Sequence, residues 1–103
     1  MAKEALIRKK AIQILEEGGW VVWCPSKVRF KQNDVFGIID VLALRKKEKK
    51  NIQLTTLTNL STRRKKILNF CQTFNVQLAV EIWAWDTKGR KFKKEIVKHH
   101  LTS

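Results

Sequence analysis

The segment that most restricts what this chain can fold into is Val35 to Leu44, VFGIIDVLAL, an almost unbroken apolar run. A run of this kind suits a central strand covered on both faces better than one with a wet side. Its length would also permit a helix, but its Val and Ile content favours the strand. A strand buried on both sides needs a covering layer on each face of its sheet. With 103 residues to work with, the chain is expected to form one domain spanning residues 1–103, because neither half of a split would enclose enough interior to fold alone.

The flanking segments supply those elements. From Lys3 to Glu17 there is no Gly or Pro, and Ile7, Ala11, Ile14 and Leu15 recur on one helical face before Gly18 and Gly19 stop the helix. Trp20 to Cys24 reads as a strand ended by Pro25. The charged stretch RKKEKK makes a solvated turn, and NIQLTT (residues 51–56) returns beside the central strand as a hairpin. Leu60 to Phe74 carries Ile67, Leu68, Cys71 and Phe74 at helical spacing, with Asn59 or Ser61 as N-cap. Leu78 to Trp85 and Lys91 to Val97 flank the reversal DTKG. The expectation is an α/β (α+β) domain of order αβββαββ, a mixed sheet of about five strands flanked by helices.

Composition enters through charge. Twenty-two Lys plus Arg against nine Asp plus Glu give a formal net charge of +13, well beyond what solubility requires. An excess of this size fits a polyanionic partner, and nucleic acid gains affinity by counterion release. An anionic membrane surface would fit the number too, but the sequence has no long apolar run and no lipidation motif. The opening residues MAKEALIRKK lack a signal-peptide core, so an intracellular, cytoplasmic protein is expected, with Cys24 and Cys71 as buried reduced thiols. His99 and His100 lie too far in sequence from either cysteine to suggest a zinc site.

One residue breaks the apolar run. Asp40 is a carboxylate in a segment where an uncompensated charge costs several kcal/mol, on the order expected for desolvation. If the hairpin turns near Lys47 and Glu48, Asp40 stands opposite Thr55, with Gln53 two residues along on the same face. A structural ion pair or backbone hydrogen bonds would satisfy Asp40 equally well. The convergence of three polar groups favours a site of hard oxygen ligands, the kind Mg²⁺ takes. Asp34, at the entrance of the same strand, is either a second carboxylate of that site or a loop cap.

The run EALIRKKAIQILEEGGWVVW, then DVFGIIDVLAL, then IQLTT, resembles the PD-(D/E)XK nuclease superfamily, particularly the archaeal and viral Holliday-junction-resolvase-like enzymes. The likeness covers roughly the first half of the chain in sequence and all of it in element order. It implies a restriction-endonuclease-like fold, Mg²⁺ or Mn²⁺ as cofactor, DNA as substrate and a homodimer. In that family an aspartate, an E-x-K on the neighbouring strand and an early helical glutamate build the site. Carried over, Asp40 takes the aspartate's place, Gln53 the glutamate's, Thr55 the lysine's and Glu4 the helical glutamate's. Gln for Glu keeps an oxygen and loses a charge; Thr for Lys loses the positive charge altogether, and Lys27 or Lys31 would have to replace it. Glu4 also reads as a first-turn acid favoured by the helix dipole.

A phosphate-binding surface is expected at Arg63, Arg64, Lys65 and Lys66, where four cations open the second helix against its dipole, and at Lys27, Arg29 and Lys31. A plain solvated helix face explains the same run. Lys88, Arg90, Lys91, Lys93 and Lys94 decorate the last hairpin, and among the four Trp, Trp85 is the one expected to be exposed for base stacking. Three classes follow: a metal-dependent DNA endonuclease, a nucleic-acid-binding module that kept the fold and lost catalysis, and an architectural subunit of a DNA-processing assembly.

Overall fold

Both helices end on a left-handed residue, and these stops place the sheet between them. The computed structural model describes residues 2–23 and 38–98, with side chains described from residue 5 onward. Helix α1 (Ala2–Glu17) closes where Gly19, at φ 86°, lets Trp20 N–H reach Leu15 C=O at 3.0 Å and Gly19 N–H reach Glu16 C=O at 3.0 Å. Helix α2 (Leu60–Phe74) closes the same way on Asn75, at φ 50°, with Val76 N–H bonded to Cys71 C=O at 3.0 Å. Both are Schellman closures, one on the usual glycine and one on the asparagine that best tolerates that conformation.

Strands β1 (Val21–Trp23), β2 (Val41–Arg45), β3 (Glu48–Thr56), β4 (Val80–Asp86) and β5 (Lys91–Val97) form one five-stranded sheet in sequence order. Every neighbouring pair is antiparallel except β3 and β4, which run parallel because a short 3₁₀ turn (Leu57–Asn59) and α2 carry the chain back between them. The molecule is a mixed α and β structure with a helix on each sheet face, in the expected order αβββαββ.

Residue alternation assigns the two cores. Ala11 and Leu15 of α1 pack with Val41, Ala43, Ile52 and Trp83 on one face. Leu60, Ile67 and Cys71 of α2 pack with Val80, Ile82, Ala84 and Val97 on the other. Ile82 and Trp83, adjacent on β4 and facing opposite helices, are both buried, so that strand is covered on both faces there. Ile7 joins the buried face of α1, whereas Ile14 is 43% exposed.

Several expectations need correction. The central strand is shorter than Val35 to Leu44: β2 begins at Val41, Ile38 to Asp40 form an irregular lead-in, and residues 35–37 lie outside the described part. It is covered fully on one face only, because α2 lies over the other end of the sheet and leaves Leu44, with Val21 and Trp23 of edge strand β1, more than half exposed. Trp23 is therefore the exposed tryptophan, while Trp85 is half-buried and Trp83 is buried. The RKKEKK stretch turns only at Lys46 and Lys47; its last three residues already belong to β3.

Candidate functional site

The β2–β3 hairpin sets which polar groups meet. Lys46, at φ 54°, turns the chain, and Arg45 pairs with Glu48, Ala43 with Lys50 and Val41 with Ile52. One further step along this register brings Asp40 level with Gln53, not with Thr55 as a turn at Lys47–Glu48 predicts. A turn displaced by one residue moves every partner by two. An even displacement keeps side chains on their face, so Thr55 still shares the face of Gln53.

Past the last paired residue of β2, Asp40 completes the hairpin's end with its backbone and its side chain. Its N–H donates to Ile52 C=O at 2.8 Å, and its Oδ2 accepts from Leu54 N–H at 2.8 Å and from Gln53 Nε2 at 2.6 Å. Gln53 is 2% exposed and its Oε1 is buried with no hydrogen-bond partner among the described residues. An orphaned amide oxygen costs about 1–3 kcal/mol, so this is a position with unspent capacity to bind. Thr55, also buried, stands level with Ala84 of β4 on the same face.

Across the sheet the row continues from Gln53 to Ile82 and then to Glu95 on β5. There Arg64 of α2 reaches down, with Nε and Nη2 both donating to the Glu95 carboxylate, the latter at 2.8 Å. These bonds hold the Glu95 carboxyl below the ordinary glutamate range and raise the guanidinium pKa above its usual value. Arg64 is thus committed to docking α2, while Lys65 and Lys66 are exposed and Arg63 is half-buried. Asn59 occupies the N-cap position of α2 without a side-chain capping bond. Cys71 is a buried free thiol, its pKa pushed up by burial.

Asp34, Lys27, Arg29, Lys31 and Cys24 lie outside the described residues, as does the side chain of Glu4, whose backbone is in the first turn of α1. Among the described residues no three His, Cys, Asp or Glu side chains group to hold a metal ion. The described donors that fit one are the carboxylate of Asp40 and the buried amide oxygen of Gln53. Both are hard oxygens of the type Mg²⁺ accepts while keeping its own waters, and a half-turn of the planar amide exchanges its nitrogen and oxygen.

Two clusters on the opposite face had no clear signal in the sequence beyond alternating Trp on β4. Glu81 accepts from Trp83 Nε1 at 3.0 Å and pairs with Lys50, satisfying the indole of a buried ring. Trp83, Phe92 and Trp85 pack in series, the first pair tilted with ring centroids 5.3 Å apart and the second edge to face at 5.0 Å. No protein-family model matches the chain, and no curated protein or solved structure matches it significantly.

Proposed function

We propose that this chain is a metal-dependent DNA endonuclease on a restriction-endonuclease-like fold, acting on branched or otherwise structured duplexes as a homodimer with two sites. The observation that carries the reading is the meeting of Asp40 and Gln53, thirteen residues apart, at 2.6 Å across the β2–β3 hairpin. The order αβββαββ, with a parallel β3–β4 pair bridged by α2, supports it, as does a net charge of +13. Among the described residues no helix is long and apolar enough to cross a membrane.

A bound divalent cation would supply an activated water and charge stabilisation at the scissile phosphate. The chain's own part is to fix the ligands. Asp40 is oriented by the backbone N–H of Leu54 and contributes the negative charge, and buried Gln53 contributes a neutral oxygen. Thr55 offers a hydroxyl on the same face, and exposed Lys65 and Lys66 attract the phosphate backbone.

One observation favours a second reading. Gln53 donates its amide to Asp40, so the two groups that would share a cation already satisfy each other in part. A glutamate at position 53 would instead repel Asp40 until a metal arrived. This is what a nucleic-acid-binding module with a lapsed site would contain.

Cleavage assays separate the two. Purified protein is incubated with linear duplex, single-stranded and four-way-junction DNA, with and without Mn²⁺, alongside Asp40→Ala. The endonuclease reading expects Mn²⁺-dependent cleavage lowered on the order of 10²–10³-fold or more by the substitution. Tight, salt-sensitive binding with no cleavage in any metal rejects it in favour of the module.

A further inference from the structure

On the sheet face away from Asp40 and Gln53, α1 and the β4–β5 hairpin enclose a groove of about 440 Å³. Its floor is aromatic: Trp85 and Phe92 meet edge to face with centroids 5.0 Å apart. Its rim is cationic, with Lys10 from α1 and Arg90, Lys91 and Lys94 from the hairpin. Glu17 is the one acid among the described lining residues. Ile14, 43% exposed on α1, extends the apolar wall.

The rim is held in place before any ligand arrives. Asp86 Oδ1 accepts from Lys88 N–H at 3.0 Å and Gly89 N–H at 3.2 Å, and Arg90 N–H donates to Asp86 C=O at 2.7 Å. A Cβ at Gly89 would come within 2.9 Å of Asp86 Oδ2, so a larger residue there would have to displace that carboxylate. Lys10 Nζ rests 5.4 Å from the centre of the Trp85 ring, and Lys94 Nζ 4.2 Å from that of Trp83. A lysine over a ring at a solvent-accessible rim is a weakly held cation, about 0.5–1 kcal/mol, and an anion can draw it off the ring face.

From this we infer that the groove binds an unpaired nucleotide of single-stranded DNA, with the base stacked on Trp85 and the flanking phosphates taken by Lys10, Arg90 and Lys94. Charge complementarity selects a polyanion, and the ring floor selects one with accessible flat faces. Bases within an intact duplex are already stacked on their neighbours and cannot lie on Trp85. The inference does not rest on the endonuclease reading, since Trp85 and Gln53 face opposite sides of the sheet.

The test is fluorescence anisotropy of the full chain with labelled oligo(dT), oligo(U) and a blunt duplex. Trp85→Ala should weaken oligo(dT) binding about tenfold to a hundredfold, leave duplex affinity within about twofold, and leave any cleavage of duplex DNA in place; Trp85→Phe should retain most of the affinity. Lys10→Gln and Lys94→Gln should each lower the salt slope for oligo(dT) by about 0.7. If Trp85→Ala does not fold, Arg90→Gln with Lys94→Gln, both on the groove rim, carries the test, with the same selective loss expected. Unchanged oligo(dT) affinity, an equal loss on duplex, or binding of oligo(U) without oligo(dT) overturns the inference. Asp40→Asn should bind oligo(dT) like the parent, so failure of the nuclease proposal and failure of this one give different results.

Discussion

On the α1 face of the sheet cations rest on aromatic rings: Lys10 on Trp85, Lys94 on Trp83, Arg45 and Lys50 on Trp20. Directional hydrogen bonds occur on both faces, Asp40 with Gln53 and Leu54 and Glu95 with Arg64 on the α2 face, Glu81 with Lys50 and Trp83 on the α1 face. A cation on a ring keeps most of its hydration and is readily diverted to a passing anion. A carboxylate held by two donors is confined, and its geometry is specified by the strands that carry it. The groove cations Lys10 and Lys94 are therefore placed for exchange, whereas the carboxylates of the α2 face are positioned by the strands that carry them, although a single sheet serves both.

The largest expected effect is on stability, because both faces also have to be core. Trp83→Ala should cost about 3–5 kcal/mol, against a domain stability of about 5–15 kcal/mol. It also strands the carboxylate oxygen of Glu81 that accepts from the indole. Urea denaturation checks this; a loss under about 1 kcal/mol would mean that the α1 face is not packed as described.

Next in size is Gln53→Glu, which sets a second carboxylate against Asp40. Without metal it should destabilise by about 1–3 kcal/mol, and Mn²⁺ should raise its melting temperature more than it raises that of the parent. Equal responses to Mn²⁺ would remove the α2-face site from consideration as a cation site.

A smaller effect distinguishes the cations of α2. Lys65→Gln and Lys66→Gln should each reduce the salt slope of duplex binding by about 0.9. Arg64→Gln should change the slope less and stability more, because its guanidinium is engaged by Glu95. Salt titrations of binding check this, and a dominant slope change at Arg64 would contradict it.

The smallest effect is a pH dependence. The folded Glu95 pKa is depressed, so its contribution is present at neutral pH, above the unfolded value, and is lost as pH falls through the lower folded value. The stability difference between the parent and Glu95→Gln should accordingly be seen at neutral pH and fade in acid. Denaturation curves across that range check the sign; a difference growing toward low pH would reverse it.

The helices were legible because their signals are local. Leu60 to Phe74 is bounded as expected, since its apolar spacing and the residues around it agree. The hairpin site was legible only to its face. Placing the turn one residue late shifted the expected partner of Asp40 from Gln53 to Thr55, and only the two-residue period of a strand preserved the convergence. Which tryptophan is exposed was not legible, because it depends on where α2 lies over the sheet: α2 covers β4 and leaves Trp23 on β1 uncovered. The commitment of Arg64 was hidden for the same reason, its partner Glu95 being 31 residues away on the far edge strand.

Electron paramagnetic resonance of Mn²⁺ titrated into the parent protein and into Asp40→Asn tests the central claim without requiring turnover. Ligation by the hairpin predicts one bound Mn²⁺ per chain, weakened at least about tenfold by the substitution. Indistinguishable titration curves for the two proteins would contradict it.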